Sequence, residues 1–467
     1  MATVHDVTLT PGKDDLVLAW VGAQRWYQAK GRTPRLRRLD SWRLDDPAGE
    51  VGIETLVYED LSGADGGPGV TYQVPLTYRG APLPGADDAL VGELDHPVLG
   101  HRWVYDAPHD PVYVAQLLAL VRGRAQAQEG SVSDTPRPDV AGAPHPAWTS
   151  EPEVVSSSVL RGEQSNTSVV VETGAEPVIV KIFRTLSPGD NPDVTLQGAL
   201  GAANCPYVPA TVGHVAGAWR DADGQTHLGH LAVAQEYLRG SRDAWRVALE
   251  RASSGTPFAD EARALGVVTA DIHHTLARVL PTRPADDDLV AAQVSGMRRR
   301  ASLALGEVPA LAEHEPAFRD VFARARAARW PAMQRIHGDY HLGQVLHVPD
   351  RGWVVIDFEG EPLRPLAERN ALDAPLRDVA GMLRSIDYAG ASSGLPDAEA
   401  AAWVAETSRA FLEGYAEAGH DARDDAAVLT ALTLDKALYE VVYEARNRPT
   451  WLAIPVRAVT RLLQEDV

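Results

Sequence analysis

Apolar and polar positions change their period several times along this 467-residue chain, and the changes divide it. Asp14 to Val21 carries a short helical pattern. It leads into Gln24-Arg25-Trp26-Tyr27-Gln28-Ala29-Lys30-Gly31-Arg32, a basic aromatic stretch that fits a helix end with a packed Trp and solvated cations. Strand-like runs follow at Arg38–Leu44, Gly52–Tyr58 and Val70–Arg79, set apart by turn-rich segments such as Asp45–Gly49 and Gly63–Gly69. Pro111 to Arg124 returns to helical spacing, with Arg in its last turn where a cation suits the helix dipole. Together these predict an α+β domain over 1–124. Residues 125–150, mostly Gln, Ser, Pro, Asp and Gly, read as a linker and domain boundary.

Beyond the linker the pattern predicts three antiparallel strands, Val154–Leu160, Ser168–Glu172 and Val178–Phe183. The polar stretch Gly162–Ser168 forms the tip between the first two. Its Ser165, Asn166, Thr167 and Ser168 can offer hydroxyls and backbone N–H groups to phosphate oxygens, as any polar hairpin tip can. Lys181 lies inside the apolar run Val178–Phe183, so its ammonium must snorkel or meet an anion. A helix begins at Asn191-Pro192-Asp193 with a suitable cap, proline and acid. Its body, VTLQGALGAAN, has no carboxylate to hold Lys181, which leaves Asp193 or Gln197 as substitutes. Thr226–Glu236 is a further strand, and Gln235, Glu236 and Tyr237 read as a hinge whose backbone can meet an adenine edge. Helices then dominate at Ala244–Ala252, Phe258–Leu280, Asp287–Leu305 and Pro316–Ala328. His273 and His274 fall in the second of these. Being adjacent they face different ways, so both read as packing or surface residues. The expected boundaries are therefore 1–124, 125–150, 151–238 and 239–467.

Composition narrows the partners. A formal charge of −20 disfavours nucleic acid and anionic lipid. The single cysteine, Cys205, excludes an internal disulfide and a cysteine-built metal site. No secretory signal and no apolar run of transmembrane length are present in the sequence, so the expectation is a cytoplasmic protein.

The chemistry concentrates in Ile336-His337-Gly338-Asp339-Tyr340-His341-Leu342-Gly343-Gln344 and in Val354-Val355-Ile356-Asp357-Phe358-Glu359-Gly360-Glu361. Asp339 and Asp357 stand eighteen positions apart, with the amide Gln344 five residues after the first. A loop carboxylate, an amide and a strand-delivered carboxylate are the layout of ATP-dependent phosphoryl transfer. The first acid accepts the proton of the attacking hydroxyl, and the other two hold magnesium on the nucleotide phosphates. This assigns Asp339 as base and Gln344 and Asp357 as Mg²⁺ ligands, with Lys181 on the phosphates of ATP. A zinc reading of His337-x-Asp339-x-His341 needs a helix, which Gly338 and Gly343 oppose. By analogy with kinases His337 then has a structural role in the loop, and Asp378, at the start of the helix PLRDVAGMLR, is either the acid that in related kinases braces the loop backbone or an acid placed for the helix dipole. From Leu432 a helix carries Lys436, Tyr439, Glu440, Tyr443, Glu444 and Asn447 at spacings of three and four, with Trp451 just beyond. On its residues alone this stripe is either a solvated face with core tyrosines or a wall for a sugar.

These segments, HGDYHLGQ, IDFEGEP, PLRDVAGMLRS and DKALYEVVYEARNRP, together with QRWY, EQSNTS and NPD, resemble the bacterial maltokinase family across nearly the whole chain. That family is related to the aminoglycoside phosphotransferases. The resemblance implies an α+β, bilobal protein-kinase-like fold: a β-rich N-lobe and a helical C-lobe behind an N-terminal cap domain. It implies transfer of the γ-phosphoryl of ATP to the anomeric hydroxyl of maltose, giving maltose 1-phosphate in trehalose, glycogen and α-glucan metabolism. It also implies an association with trehalose synthase. It makes the C-terminal stripe the acceptor wall, with His341, Lys436, Tyr439, Glu440, Tyr443, Glu444 and Trp451 on the sugar. One departure is Thr195, where family members carry the Glu that would hold Lys181. Two other readings remain: a kinase of glucosamine, another sugar, choline or an aminoglycoside, and a nucleotide-binding pseudokinase partner of trehalose synthase.

Overall fold

The computed structural model describes residues 7, 9–63, 69–150, 153–162, 165–361 and 364–465. The chain forms two compact units, Met1–Gly198 with Pro209–Arg239, and Ala199–Val208 with Gly240–Val467. No described helix is long and apolar enough to cross a membrane.

The first unit opens with helix α1 (Lys13–Val21) and strands β1 (Leu36–Leu44), β2 (Gly52–Asp60), β3 (Val70–Arg79), β4 (Leu90–His96) and β5 (Gly100–Asp106). Helix α2 (Pro111–Val121) and the short β6 (Gln128–Glu129) follow. The strands form an antiparallel sheet in the order β4-β5-β3-β2-β1-β6. Strand β2 is buried on both faces because its alternate residues enter different cores. Leu56 and Tyr58 pack with Val17, Val21 and Trp26 on the α1 side. Ile53 and Val57 pack with Leu117 and Leu118 of α2 on the other. The start of α2 follows from local chemistry: Asp110 caps it by accepting from Val112 N–H, Pro111 occupies the first turn, and Arg79 clamps the same carboxylate at 2.6 Å.

A second antiparallel sheet runs β7-β12-β13-β10-β9-β8. Its strands are β7 (Val140–Pro144), β8 (Val154–Val159), β9 (Asn166–Thr173), β10 (Val178–Phe183), β12 (Thr211–Arg220) and β13 (Thr226–Glu236). The two-residue β11 (Thr185–Leu186) and helix α3 (Pro192–Ala202) follow β10. The two sheets share one apolar core, in which Trp42, Leu44 and Val121 meet Val169, Val180 and Val215. They are also joined through β11, which pairs with β3. Arg184 beside it is fully buried, bonded to Asp106 at 2.6 and 2.8 Å and to Thr167, with its guanidinium 4.9 Å from the ring centroid of Trp26.

Residues 125–150 are not a free linker. Here β6 pairs with β1 and β7 pairs with β12, so the segment belongs to both sheets. Arg137 fastens it: the buried guanidinium reaches both oxygens of Asp40 at 2.7 Å and the carbonyl of Ala218 at 3.1 Å. These strands are short and polar, so neither apolar content nor alternation marks them in the sequence.

The second unit contains β14 (Arg242–Asp243), α4 (Ala244–Ser253), α5 (Ala259–Val279), α6 (Asp287–Glu307), α7 (Glu315–Ala327), β15 (Val345–Val348) and β16 (Gly352–Val355). It ends with α8 (Leu366–Arg369), α9 (Leu376–Ala391), α10 (Asp397–Glu417), α11 (Ala426–Asn447) and α12 (Ala453–Glu465). The helix expected from Leu432 thus begins two turns earlier. Helices α5 and α10 touch backbone to backbone: a Cβ on Gly414 would lie 1.9 Å from the Arg263 carbonyl oxygen. Helix α9 also approaches the loop before β15 closely, with a Cβ on Gly381 falling 2.5 Å from the Tyr340 oxygen. That contact fixes the loop bearing Asp339.

Candidate active site

In the second unit, one buried carboxylate organises the loop around Asp339. Asp378, in the first turn of α9, accepts from the backbone N–H groups of His337 (2.8 Å) and Gly338 (2.9 Å). It also meets His273 Nε2 at 3.1 Å, while His273 Nδ1 faces the Tyr415 hydroxyl at 3.0 Å. Burial raises the Asp378 carboxyl, but His273, His337 and the N–H donors outweigh it and hold it below the ordinary range. His337 joins the loop to the end of β16. Its Nε2 meets the Ile356 carbonyl oxygen at 3.0 Å, which makes Nε2 the protonated nitrogen, and its ring packs on Phe358 at 4.7 Å between centroids. Asp339 and Asp357 are thereby carried by two segments that share one histidine.

Asp357 stands in the left-handed backbone region at φ 63, a costly conformation for a non-glycine residue held by its surroundings. Its Oδ2 accepts from Gln344 Nε2 at 3.1 Å, and Ile356 N–H donates to the Gln344 carbonyl at 3.0 Å. The Gln344 side-chain oxygen and the Asp357 carboxylate form a pair of hard oxygen donors of the kind magnesium takes. The histidines are not placed for zinc: His337 Nε2 is spent on Ile356, and His341 Nδ1 accepts from Gly343 N–H at 3.0 Å. Burial lowers the pKa of His341, consistent with a neutral ring in that turn.

Asp339 meets an ammonium from far along the chain. Lys436 of α11 lies with Nζ 3.2 Å from Asp339 Oδ1 and 2.7 Å from Glu361 Oε1. Glu361 is 4% exposed and also pairs with Arg364 at 2.6 Å. Burial pushes its carboxyl up, yet Lys436, Arg364 and Arg377 together bring it down to about 2. Lys436 in turn is raised above its ordinary value: burial opposes its charge, and Glu361 and Asp339 more than compensate. The chain of charge continues from Arg377 to Asp373 (2.6 Å) and Asp435 (3.0 Å), and from Asp435 to Arg300 (2.6 Å).

The rest of the predicted acceptor wall extends along α11. Lys436 to Glu444 covers about 12 Å at the helical rise. Tyr439 and Tyr443 stack at 6.4 Å, and Trp451 stacks on Tyr388 at 6.4 Å. Arg448 lies over both Tyr443 and Trp451. The acids are ion-paired: Glu440 with Arg384 at 2.6 Å and Glu444 with Arg448 at 2.6 Å. Burial raises the Glu440 carboxyl, with Arg384 opposing.

In the first unit, Lys181 does have a carboxylate partner. Asp193 Oδ2 lies 3.1 Å from Nζ, with the carboxylate buried and the lysine half-buried. The acid comes from the first turn of α3, where Asn191 Oδ1 accepts from Asp193 N–H, and not from the body of the helix. Gln197 bonds Gln235 instead. The polar tip is shorter than the sequence suggests. Asn166, Thr167 and Ser168 already belong to β9 and are buried, with the Thr167 hydroxyl taken by Arg184, while Ser165 stays outside the strand. Cross-strand packing under this sheet favours extending the ladder over leaving three small polar residues in a loop. Glu163 and Gln164 lie outside the described residues. At the hinge, the N–H groups of Glu236 and Tyr237 are bonded to the carbonyls of Ala210 (2.8 Å) and Pro177 (2.9 Å), so they do not serve as free donors to a nucleobase.

Four contributors escaped sequence reasoning: His273, Glu361 as the holder of Lys436, Arg364 and Arg384. The EGEP segment gave a signal for Glu361. The others depend on helix packing that no local pattern reports.

Residues 20–110 match the model of the maltokinase N-terminal cap domain, and residues 157–432 match that of the phosphotransferase enzyme family. The chain is 35% identical over 257 residues to a glucosamine kinase of Streptacidiphilus jiangxiensis, covering 50% of this chain and 58% of that protein. It is 29% identical over 341 residues to a glucosamine kinase of Mycolicibacterium smegmatis, covering 66% and 82% of the two. A solved glucosamine kinase in complex with glucosamine, ADP and inorganic phosphate superposes with a TM-score of 0.66 at 25% identity, over 97% of this chain and 100% of that one. With a phosphotransferase match over more than half its length behind a maltokinase-type cap, the chain belongs to the phosphotransferase enzyme family, in its maltokinase-like branch with a protein-kinase-like fold.

Proposed function

We propose that this protein is an ATP-dependent sugar kinase that phosphorylates the anomeric hydroxyl of maltose. The observation that carries the reading is the paired framing of Asp339 and Asp357. His337 bonds the Ile356 carbonyl while its own N–H is held by Asp378, so the two carboxylates cannot move independently. Asp339 accepts the proton of the acceptor hydroxyl as the oxygen attacks. Lys436, held by Glu361, keeps Asp339 in place and offers positive charge beside the reacting oxygen. Lys181, oriented by Asp193, binds phosphate oxygens of ATP. Gln344 and Asp357 would hold magnesium, which supplies charge neutralisation on the nucleotide phosphates when bound.

Maltose is favoured as acceptor by the cap and by the length of the wall on α11. Its stacked tyrosines and Trp451 continue well past Asp339, and aromatic faces suit the C–H faces of a second glucose unit. Such an acceptor would come from an enzyme that makes maltose, and trehalose synthase is the partner the resemblance implies. The second reading is glucosamine, supported by what the relatives are named for. Coupled measurement of ADP release with ATP and a panel of maltose, glucosamine and glucose separates them. Turnover on glucosamine without turnover on maltose sinks the first reading, and no turnover on any sugar sinks both.

A further inference from the structure

The cap sheet carries a cavity of about 370 Å³, lined by charged and apolar side chains together, that the proposed reaction does not use. It lies on the α1 face, where alternation along β2 and β3 places Glu54 and Tyr78 beyond the apolar residues Leu56, Tyr58, Val74 and Leu76. An apolar residue at position 54 would extend that core. Instead Glu54 is 6% exposed and takes Lys13 at 2.7 and 2.8 Å and the Tyr78 hydroxyl at 3.0 Å. Burial, then Glu54, pushes the phenol pKa up, so Tyr78 keeps its proton. Burying a carboxylate where a leucine would fit, with a half-buried lysine as its partner, costs stability unless the charge serves something else.

Two guanidiniums line the same space. Arg43 sits directly opposite Glu54 in the β1–β2 register, yet has no hydrogen-bond partner among the described residues. Arg102 donates only to the His101 carbonyl and has no carboxylate partner among the described residues. The acids on the wall do not answer them. Asp46 is occupied by the N–H groups of Ala48, Glu50 and Val51, Glu54 by Lys13 and Tyr78, and the exposed Glu50 carboxylate makes no ion pair with either arginine among the described residues. Guanidiniums left without carboxylates at a concave site suit a phosphate or carboxylate. The Lys13–Glu54–Tyr78 cluster across from them can donate to and accept from hydroxyls. The volume is that of a small-metabolite site.

We infer that the cap holds a second ligand site, built by Arg43, Arg102, Lys13, Glu54 and Tyr78, for a phosphorylated sugar. The arginines take the phosphate, and buried Glu54 with the half-buried Lys13 and Tyr78 takes the ring hydroxyls. A protein that makes sugar phosphates would gain from this site a means of sensing them away from Asp339.

The test is titration calorimetry on the full chain with glucose 1-phosphate, and separately with inorganic phosphate and with glucose. Saturable binding of glucose 1-phosphate is expected, weakened at least ~10-fold by Arg43→Gln with Arg102→Gln, with kcat and KM for ATP and acceptor unchanged. Tyr78→Phe, which keeps the ring, should narrow the preference for glucose 1-phosphate over inorganic phosphate. Absence of binding, or binding indifferent to the arginine substitutions, overturns the site. Equal affinity for inorganic phosphate and glucose 1-phosphate overturns the sugar as ligand.

Discussion

Glu361→Gln probes the least expected feature of the site, the acid that holds Lys436. The substitution keeps the shape and removes the charge. Ionised Glu361 faces Lys436 at 2.7 Å and Arg364 at 2.6 Å. Its carboxyl is brought from the ordinary 4.5 down to about 2. At about 1.4 kcal/mol per pH unit, that depression corresponds to on the order of 3 kcal/mol of folding stability. The glutamine retains one hydrogen bond, so a loss of about 2–3 kcal/mol is expected at neutral pH. For a unit of this size that lowers the melting temperature by roughly 4–12 °C. Because the folded-state value lies below the unfolded one, the contribution is fully present above about pH 4.5 and fades as pH falls toward 2. Melting curves of both proteins from neutral pH downward should run parallel to about pH 5 and then converge. Lys436, released from Glu361, should also be drawn to Asp339 and lower kcat while KM for ATP stays put. A variant that melts with the wild type, or a gap that widens on acidification, refutes the electrostatic account of this acid.

Asp378→Asn should lower kcat at least ~10-fold and cost ~1–3 kcal/mol, since an amide cannot accept from both N–H groups and from His273 together; steady-state kinetics and melts check it. Gly381→Ala puts a methyl 2.5 Å from the Tyr340 carbonyl oxygen and should shift the loop, losing turnover while nucleotide binding, read by calorimetry, persists. Asp193→Asn should raise KM for ATP several-fold with little effect on KM for the sugar, because it loosens the hold on Lys181.

Much of the candidate site's layout was legible because its signals are local. The loop carboxylate, the amide five residues on and the strand before Asp357 are all set by nearby sequence. The run Val178–Phe183 is a strand with the predicted ends, and Lys181 is set within it. What stayed hidden depends on distant packing. The sequence offered Asp193 or Gln197 for Lys181 without deciding between them, and the position of α3 against β10 selects Asp193. His273 looked like one of two packing histidines. Packing of α5 against α9 and α10 gives it Asp378 and Tyr415 as partners. Strands β4, β5 and β12 passed unnoticed because Gly, His, Asp and Arg interrupt their apolar alternation, and neighbouring strands hold them in place. Gly162–Ser168 read as one polar tip because small polar residues carry no strand signal of their own.

The central claim is that Asp339 removes the proton from the sugar hydroxyl during phosphoryl transfer. Single-turnover transfer from ATP to maltose by the wild type and by Asp339→Asn tests it most directly, with ATP and sugar binding measured on both. The account predicts maltose 1-phosphate from the wild type, and a loss of about 10²–10⁴-fold or more in the variant with both ligands still bound. An Asp339→Asn protein that transfers phosphate at close to the wild-type rate would contradict it.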